Sequence, residues 1–192
     1  MKKPGHSDEQ IRAYTVGELH PLEGRIVLAD YDPLWPQRFL TEAQELRAVL
    51  GERALLIEHV GSTAVPGLPA KPVIDMILVV ANSADEGAYV PDLERASYVL
   101  RIREPDWYEH RVLKGPRVNI NLHVFSANST EVARMLAFRD WLREHDADRD
   151  LYANAKRTLA QQTWKYVQNY ADAKTAIIEE IIARATPQTQ GT

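Results

Sequence analysis

Cysteine is absent from the 192 residues of this sequence. Disulfide bonds, thiolate metal sites and catalysis by a thiol nucleophile are therefore excluded. The sequence also has no long hydrophobic run. Its longest nearly apolar stretch, residues 73–81, contains Asp75 and is much shorter than the about 20 residues of a membrane-spanning helix. The first ten residues lack the apolar centre of a signal peptide. These absences predict a cytoplasmic protein with no membrane partner.

Neither sign of charge dominates the sequence. There are 23 lysines and arginines against 27 aspartates and glutamates, which gives a net charge of −4. Nucleic-acid-binding domains usually carry a basic face, so this balance argues against a nucleic-acid partner. A local basic pocket is still compatible with it. The length fits one domain of ordinary size.

Short runs of apolar and β-branched residues predict strands in the first two thirds of the chain. The predicted strands cover 25–30, 54–60, 73–80, 98–103, 107–114 and 117–125. Helices are predicted near 8–14, 33–50 and 84–96. Ser7 and Gln10 predict a capping box for the first of these helices. Asp32 is the expected N-cap of the second helix, and Gly51 is its expected end.

From residue 129 onward the apolar residues recur at helical spacing. Asn128 and Glu131 predict a capping box where this region starts. Three apolar stripes follow, made by Met135, Phe138, Trp141 and Leu142, by Leu151, Ala155 and Leu159, and by Ile177, Ile178, Ile181 and Ile182. The chain is thus predicted to have an α+β fold with one sheet covered by helices. We expect a single domain over 25–185, an N-terminal extension (1–24) and a flexible tail (186–192).

The loop between two predicted strands, residues 61–72, has the densest chemical signal. Gly61 allows close approach of the backbone to a ligand, and Ser62 and Thr63 add hydroxyl groups. Lys71 supplies a positive charge at the far end. Asp75 then lies inside an apolar strand, where an ionised carboxylate is costly unless it is paired or metal-bound. The pattern predicts an anion-binding loop beside a functional carboxylate, while a plain turn and a structural ion pair are the alternatives.

The predicted strand 117–125 has one apolar and one polar face. Ile120, Leu122 and Val124 alternate with Asn119, Asn121 and His123. Asp75 and His123 on neighbouring strands could hold one metal ion, with His59 as the third ligand. A carboxylate with imidazoles suits Mn²⁺, Zn²⁺ or Fe²⁺ better than Mg²⁺. The alternative is that each histidine is an ordinary hydrogen-bonded side chain.

Three arginines are further candidates for binding phosphate, because a guanidinium group can contact two phosphate oxygens at once. Arg111 and its neighbour His110 lie on a predicted strand, and either of them could reach the cleft, although adjacent strand residues point to opposite faces. Arg139 and Arg143 are spaced four residues apart on one helical face. Since Asp140 and Glu144 are interleaved with them, a solvated face with salt bridges is the alternative.

The spacing of strand, Gly-Ser turn and acidic residue resembles the nucleotidyltransferase (polymerase-β-like) superfamily. In that superfamily the turn binds a triphosphate, and carboxylates on the next strand hold divalent metal. The longer string HVGSTAVPGLPAKPVIDM (59–76) resembles the GrpB family, also called UPF0157. Further matches to that family are DYDPLWPQRF (30–39), NLHVF (121–125) and FRDWLREH (138–145). Domains similar to this family also occur fused to dephospho-CoA kinase.

The resemblance implies a mixed sheet flanked by helices, with a helical C-terminal third. It also implies metal-dependent nucleotidyl or phosphoryl transfer to a small molecule, with a nucleotide or a CoA-like compound as partner. Asp75 and His123 would be catalytic, and Gly61, Ser62, Thr63 and Lys71 would bind phosphate, with help from Arg111 or Arg139. The expected ion is Mg²⁺ or Mn²⁺, ahead of Zn²⁺. A homodimer is compatible with the pattern.

The sequence departs from the superfamily at the acidic pair, because Ile77 stands where a second carboxylate is expected after Asp75. A two-metal site relies on several carboxylates. Two further hypotheses therefore stand beside the transferase. One is a non-catalytic module that binds a nucleotide or CoA through a degenerate site. The other is a single-metal hydrolase built on His59, Asp75 and His123.

Overall fold

The computed structural model describes residues 5–22 and 24–185. Five strands are present in this part of the chain: β1 (Leu56–Val60), β2 (Ile74–Val80), β3 (Val99–Glu104), β4 (His110–Lys114) and β5 (Ile120–Ser126). The α-helices are α1 (Asp8–Tyr14), α2 (Trp35–Leu50), α3 (Val90–Arg95), α4 (Thr130–Glu144), α5 (Asp146–Ala160), α6 (Val167–Ala173) and α7 (Thr175–Ala185). None of the helices in the described residues is long and apolar enough to cross a membrane.

The strands form one mixed sheet in the order β1-β2-β5-β4-β3. β2 and β5 are parallel, and the other neighbouring pairs are antiparallel. The predicted α+β fold with a mixed sheet and a helical C-terminal third is thus confirmed. The parallel pair lies in the interior of the sheet, which suits the nearly continuous apolar sequence of β2.

One face of the sheet, which we call the closed face, packs against α2 and α3. Its side chains include Met76 of β2 and Leu122 of β5, both fully buried beside Leu46 of α2. Gly51 ends α2 with φ +57°, as predicted. The closed face holds the largest cluster of buried apolar side chains in the described residues.

The other face, which we call the open face, is covered by the C-terminal helices over only part of its area. Ile77 and Phe125, in the later halves of β2 and β5, pack with Val132 of α4. Nearer the start of these strands the open face becomes polar, with Asp75 opposite Asn121. The loop after β1 packs against the C-terminal helices, because its Leu68 is buried in a cluster with residues of α4, α5 and α7.

Two predictions for the region before β1 were wrong. Residues 25–30 do not form a strand, because Ala29 makes only an isolated bridge with Ala70. Helix α2 begins at Trp35 rather than at Pro33. The carboxylate of Asp32 accepts a hydrogen bond from the amide of Leu34, so Asp32 closes a turn before the helix instead of capping it.

The C-terminal third also differs from the prediction in detail. Asn128 does not cap α4, since it has φ +65° and the helix begins after Ser129. There are four helices in this region of the described chain where three apolar stripes were expected. In α5 the buried positions include Tyr152 and Lys156, whereas Leu151 of the predicted stripe is exposed.

The capping box of α1 is confirmed by reciprocal hydrogen bonds between Ser7 and Gln10. The segment after α1 is attached to the edge strand, because the amide of Val16 donates to the carbonyl of Arg101 at 2.9 Å. The predicted flexible tail, residues 186–192, lies outside the described residues.

Candidate functional site

A pocket of about 690 Å³ lies on the polar part of the open face. Its floor is formed by β2, β4 and β5, and the loop after β1 forms one wall. Residues of the N-terminal segment and of α5 and α6 complete the enclosure. The volume is within the range of about 300–1,000 Å³ that is usual for small-molecule sites.

Asp75 of β2 lies on this floor. Its Oδ1 atom accepts a hydrogen bond of 2.7 Å from Nδ2 of Asn121 and lies 3.6 Å from Nε2 of His123. Asn121 in turn accepts a hydrogen bond from Nζ of Lys114. Burial by itself would raise the pKa of Asp75, but the hydrogen bonds and charges of His123, Asn121 and Lys71 outweigh it and lower the pKa. Asp75 is therefore an ionised carboxylate in a cationic pocket.

The Gly-Ser turn is in contact with this carboxylate. Gly61 has φ +69°, and a Cβ atom added there would lie 2.6 Å from Oδ2 of Asp75. Only glycine fits that combination of backbone angle and close approach. Ser62 lines the pocket at the start of a 3₁₀ turn, Ser62–Ala64. Thr63 uses its hydroxyl internally, because Oγ1 donates to the carbonyl of Val73 at 3.1 Å.

His59 lies on the other side of the sheet. It is paired with Met76, the neighbour of Asp75, so its side chain points to the closed face. There its ring stacks on Phe39 at 4.9 Å. Nε2 of His59 is 3.0 Å from Oγ1 of Thr63, and burial lowers the pKa of His59 to about 4. His59 is thus a neutral, hydrogen-bonded core residue.

The predicted set of metal ligands is not brought together. Asp75 and His123 are neighbours, but His59 is separated from them by the sheet. Among residues 5–22 and 24–185, no group of three or more histidine, aspartate and glutamate side chains is placed to hold a metal ion. Asp75 and His123 alone do not complete the divalent-metal site that the sequence predicted. The hypothesis of a single-metal hydrolase therefore lacks its third metal ligand, His59.

Four lysines converge on the pocket around Asp75: Lys71, Lys114, Lys156 and Lys174. The charge of Asp75 acts to raise the pKa of each of them, yet the pKa of every one is lowered, with burial as the largest cause. The pKa falls to about 6 for Lys156 and to about 8 for Lys174. Four basic side chains therefore converge on one carboxylate, and burial makes their charged forms costly.

Lys156 is the most buried of the four, with 2% of its surface exposed. Its ammonium group donates to the carbonyl of Pro69 and lies 5.3 Å from the ring centre of Tyr152. Lys174 likewise lies 4.7 Å from the ring centre of Tyr170. Carbonyl and aromatic partners stabilise a cation without neutralising its charge. Both lysines thus keep their positive charge available to a ligand when protonated.

The three candidate arginines are engaged elsewhere. Arg143 donates from Nε to the carbonyl of Ala64 at 2.9 Å and pairs with Asp140 at 3.1 Å. Arg111 points away from the pocket and pairs with Glu86, with an Nε–Oε1 distance of 2.6 Å. Arg139 is nearly buried and pairs with Glu58 and Asp140, each at 2.7 Å. All three arginines form ion pairs within the protein, so the structure does not bring them to the predicted phosphate site.

Several residues of the pocket were missed by sequence reasoning. His6 bridges two carboxylates: its Nδ1 is 3.0 Å from Oδ2 of Asp172, and its Nε2 is 3.2 Å from Oε1 of Glu104. Glu104 also contacts His110, which contacts His123. His6 is far along the chain from its partners, so no local spacing connects them. The one available signal was the polarity of Lys156 within an otherwise apolar helical face.

Comparison with known proteins gives consistent matches over most of the chain. A UPF0157 protein of Halalkalibacterium halodurans is 60% identical over 93% of this chain and 92% of its own length. The crystal structure of the conserved protein GrpB from Enterococcus faecalis superposes with a TM-score of 0.72 at 35% identity, covering 83% of this chain and 96% of that one. A dephospho-CoA kinase of Mycobacterium leprae is 27% identical over 90% of this chain, which spans 49% of that protein. The family described as GrpB protein matches residues 25–184. With the relative that is 60% identical, this match shows that the chain belongs to the GrpB (UPF0157) family.

Proposed function

We propose that this protein binds a small molecule bearing phosphate groups, of the nucleotide or coenzyme A type, in the pocket of the open face. The observation that carries the proposal is the convergence of four lysines on one carboxylate, Asp75. Phosphate oxygens would supply negative charge to pair with these lysines in addition to Asp75.

The charge inventory of the pocket supports an anionic ligand. Its lining residues include five lysines and arginines against three carboxylates. Of these carboxylates, Glu104 is engaged by His6 and His110, and the side chain of Glu18 is 81% exposed at the rim. Asp75 is left as the central counter-charge. Because buried ammonium groups are costly without a partner, a polyphosphate would relieve this cost on binding.

The depressed lysine pKa values give this type of binding a specific signature. An anion beside Lys156 and Lys174 favours their charged forms and raises their pKa values from about 6 and about 8. Near neutral pH the complex would therefore take up protons from solution. A ligand held by apolar contacts or by uncharged hydrogen-bond donors would not have this effect.

The ligand class is narrowed by the size of the pocket and by one of the relatives. The pocket volume of about 690 Å³ admits more than an inorganic phosphate. A relative named dephospho-CoA kinase contains a region similar to this chain. Dephospho-CoA and CoA therefore belong with the nucleoside triphosphates among the ligands to be tested.

Metal-dependent nucleotidyl or phosphoryl transfer is the second candidate. It is favoured by the placement of Asp75 beside His123 at the pocket floor, 3.6 Å apart. The two candidates differ in what Asp75 does. In a transferase its carboxylate would recruit a metal ion, whereas in a metal-independent anion site it opposes the ligand's charge.

A thermal-shift panel tests the proposal directly. The protein is heated with ATP, GTP, CTP, UTP, CoA or dephospho-CoA, each in EDTA, Mg²⁺ or Mn²⁺. A ligand present at about 100 times its Kd adds about 2.7 kcal/mol to the free energy of unfolding. We expect at least one ligand to raise Tm in EDTA. No shift with any ligand under any condition would contradict the proposal.

The variant Asp75→Asn separates the two candidates. If the pocket binds the anion without a metal, removal of this negative charge leaves the affinity in EDTA unchanged or raises it. If a metal held by Asp75 is required, the substitution abolishes a shift that depends on Mg²⁺ or Mn²⁺. Glu94→Gln, which removes an exposed carboxylate outside the pocket, is the matched control and should leave both results unchanged.

A further inference from the structure

The floor of the pocket has an apolar part beside the polar part that contains Asp75. Val112 of β4 is paired with His123 of β5 on one side and with Ile102 of β3 on the other. The side chains of Val112 and Ile102 both line the pocket. In the sheet, β3 is three strand spacings from β2, which corresponds to about 14 Å. The pocket therefore extends well beyond the reach of a single phosphate group placed at Asp75.

An irregularity in β3 turns Ile102 towards the pocket. Strict alternation would place Ile102 on the same face as Leu100, which is buried in the cluster of the closed face. The register of β3 against β4 instead shifts between Leu100 and Ile102. As a result Ile102 is paired with Val112, a residue of the open face. Bulges are common beside functional sites, where they redirect a side chain.

The segment around α1 forms the wall beside this part of the floor. It is attached to β3 at the bulge, because Thr15 forms a bridge with Ile102. Ile11 and Leu19 lie on either side of Thr15 in the sequence and line the pocket. The hydroxyl group of Thr15 donates to the carbonyl of Ile11 at 2.7 Å, so it is engaged within the segment. We call the set formed by Ile11, Leu19, Ile102 and Val112 the apolar half of the pocket.

The charged groups near the apolar half differ from those around Asp75. Two carboxylates line the pocket there, Glu104 on the same strand as Ile102 and Glu18 in the N-terminal segment. Arg101, the neighbour of Ile102, donates from its guanidinium group to the carbonyl of Glu18 at 2.7 Å. The four lysines lie around Asp75 instead. Because like charges repel, phosphate groups are favoured at the lysines, and the rest of the ligand is directed to the apolar half.

We propose that the apolar half binds the organic part of the ligand, which is a phosphate or diphosphate ester with an apolar group about 10–14 Å from its phosphate, or two to three strand spacings. This inference rests on the proposed function and narrows it, because an inorganic polyphosphate would occupy only the part around Asp75. Contact of the apolar group with Ile102 and Val112 adds affinity in proportion to the apolar area removed from water.

A series of alkyl diphosphates measures this contribution. Inorganic diphosphate and its ethyl, hexyl and decyl esters are titrated into the full chain in EDTA by isothermal titration calorimetry. We expect the affinity to increase with chain length, by up to about fourfold for each methylene group that becomes buried. An affinity that does not depend on chain length would overturn the proposal.

The variant Ile102→Thr assigns the effect to the apolar half, because it keeps a β-branched side chain in the strand and replaces apolar atoms with a hydroxyl group. We expect the affinity for decyl diphosphate to fall by about fourfold to tenfold, while the affinity for inorganic diphosphate is unchanged. Leu19→Asn, in the wall, should have the same selective effect. Val99→Thr is the matched control, since Val99 is 51% exposed on the same strand and lies outside the pocket. Equal affinities for decyl diphosphate in Ile102→Thr, Leu19→Asn and Val99→Thr would contradict the proposal.

The inorganic anion separates this inference from the proposed function. If inorganic diphosphate and its three esters bind with equal affinity, the apolar half has no role and the anion site stands. If none of the four compounds binds, the proposed function and this inference both fail. Lys174→Met should weaken the binding of all four compounds by a similar factor. Binding of decyl diphosphate that is unaffected by Lys174→Met would show attachment outside the pocket and would also overturn the proposal.

Discussion

The two faces of the sheet differ in what one strand presents to each of them. In β2, Met76 points to the closed face and is fully buried among apolar side chains, while the preceding Asp75 points to the open face and its pocket. His59 and His123 show the same contrast. His59 is hydrogen-bonded to Thr63 in the core, whereas His123 faces the pocket. Because successive residues alternate in direction, one step along the strand separates packing from candidate chemistry.

The largest expected effect is on the closed face. Met76→Ala should lower the free energy of unfolding by about 2–5 kcal/mol, because it leaves a cavity in a fully buried position. Urea unfolding measures this loss. At a temperature where the variant is folded, its affinity for the pocket ligand should match the wild type. A loss of stability of only about 0.5 kcal/mol, the size expected at an ordinary surface site, would contradict the assignment of Met76 to a fully packed face.

The closed face was the easier part to predict from the sequence. The alternation of Ile120, Leu122 and Val124 with polar residues located β5 to within three residues at its start. By contrast, residues 25–30 have strand composition but lack a neighbouring strand beyond the bridge at Ala29. Composition reports what a segment can form, whereas pairing depends on residues far away in the chain.

The open face was predicted only in part, for the same physical reason. Asp75, Lys71 and Gly61 were found because they lie within one short stretch of sequence. Lys156 of α5 and Lys174, between α6 and α7, reach the pocket from about 80 to about 100 residues later in the chain, and no local pattern links them to Asp75. Arg139 was placed at the phosphate site because its charge suits phosphate. Its neighbour Asp140 was visible in the sequence as an alternative partner, but only the fold brings Glu58 to it from 81 residues earlier in the chain.

A second prediction compares two glycines with positive φ. Gly51→Ala, with open space around the added Cβ, should cost only the backbone strain of about 1–3 kcal/mol. Gly61→Ala adds a collision with Asp75, because its Cβ would lie 2.6 Å from Oδ2. We expect a further loss of about 1–3 kcal/mol in urea unfolding. Equal losses of unfolding free energy in the two variants would show that a Cβ atom at position 61 does not collide with Asp75.

The third prediction concerns affinity rather than stability. Lys174→Met should weaken phosphate-ligand binding by about tenfold, or about 1.4 kcal/mol, because it removes a cation from the pocket. Lys165→Met is the matched control, since Lys165 is 58% exposed and pairs with Asp8. Equilibrium titration measures both. A similar loss of affinity in the two variants would show that the pocket lysine has no special role.

The fourth prediction follows from the pKa of Lys156. Burial lowers this pKa from 10.5 to about 6, so between these pH values the unfolded chain binds more protons than the folded one. Stability relative to Lys156→Met must then rise with pH, by less than about 1.4 kcal/mol per pH unit. Urea unfolding of both proteins from about pH 7 to about pH 9 measures the difference. A difference that does not change with pH would contradict a neutral, buried Lys156.

The central claim is that the open face binds phosphate groups through lysines whose protonation is suppressed in the free protein. Isothermal titration calorimetry in EDTA, with the ligand chosen from the thermal-shift panel and two buffers of different ionisation enthalpy, tests it most directly. The account predicts binding near neutral pH with net uptake of protons, because the anion raises the pKa values of Lys156 and Lys174 from about 6 and about 8. The uptake should decrease in Lys156→Met. Binding that requires Mg²⁺ or Mn²⁺, or that leaves the proton count unchanged, would contradict the claim.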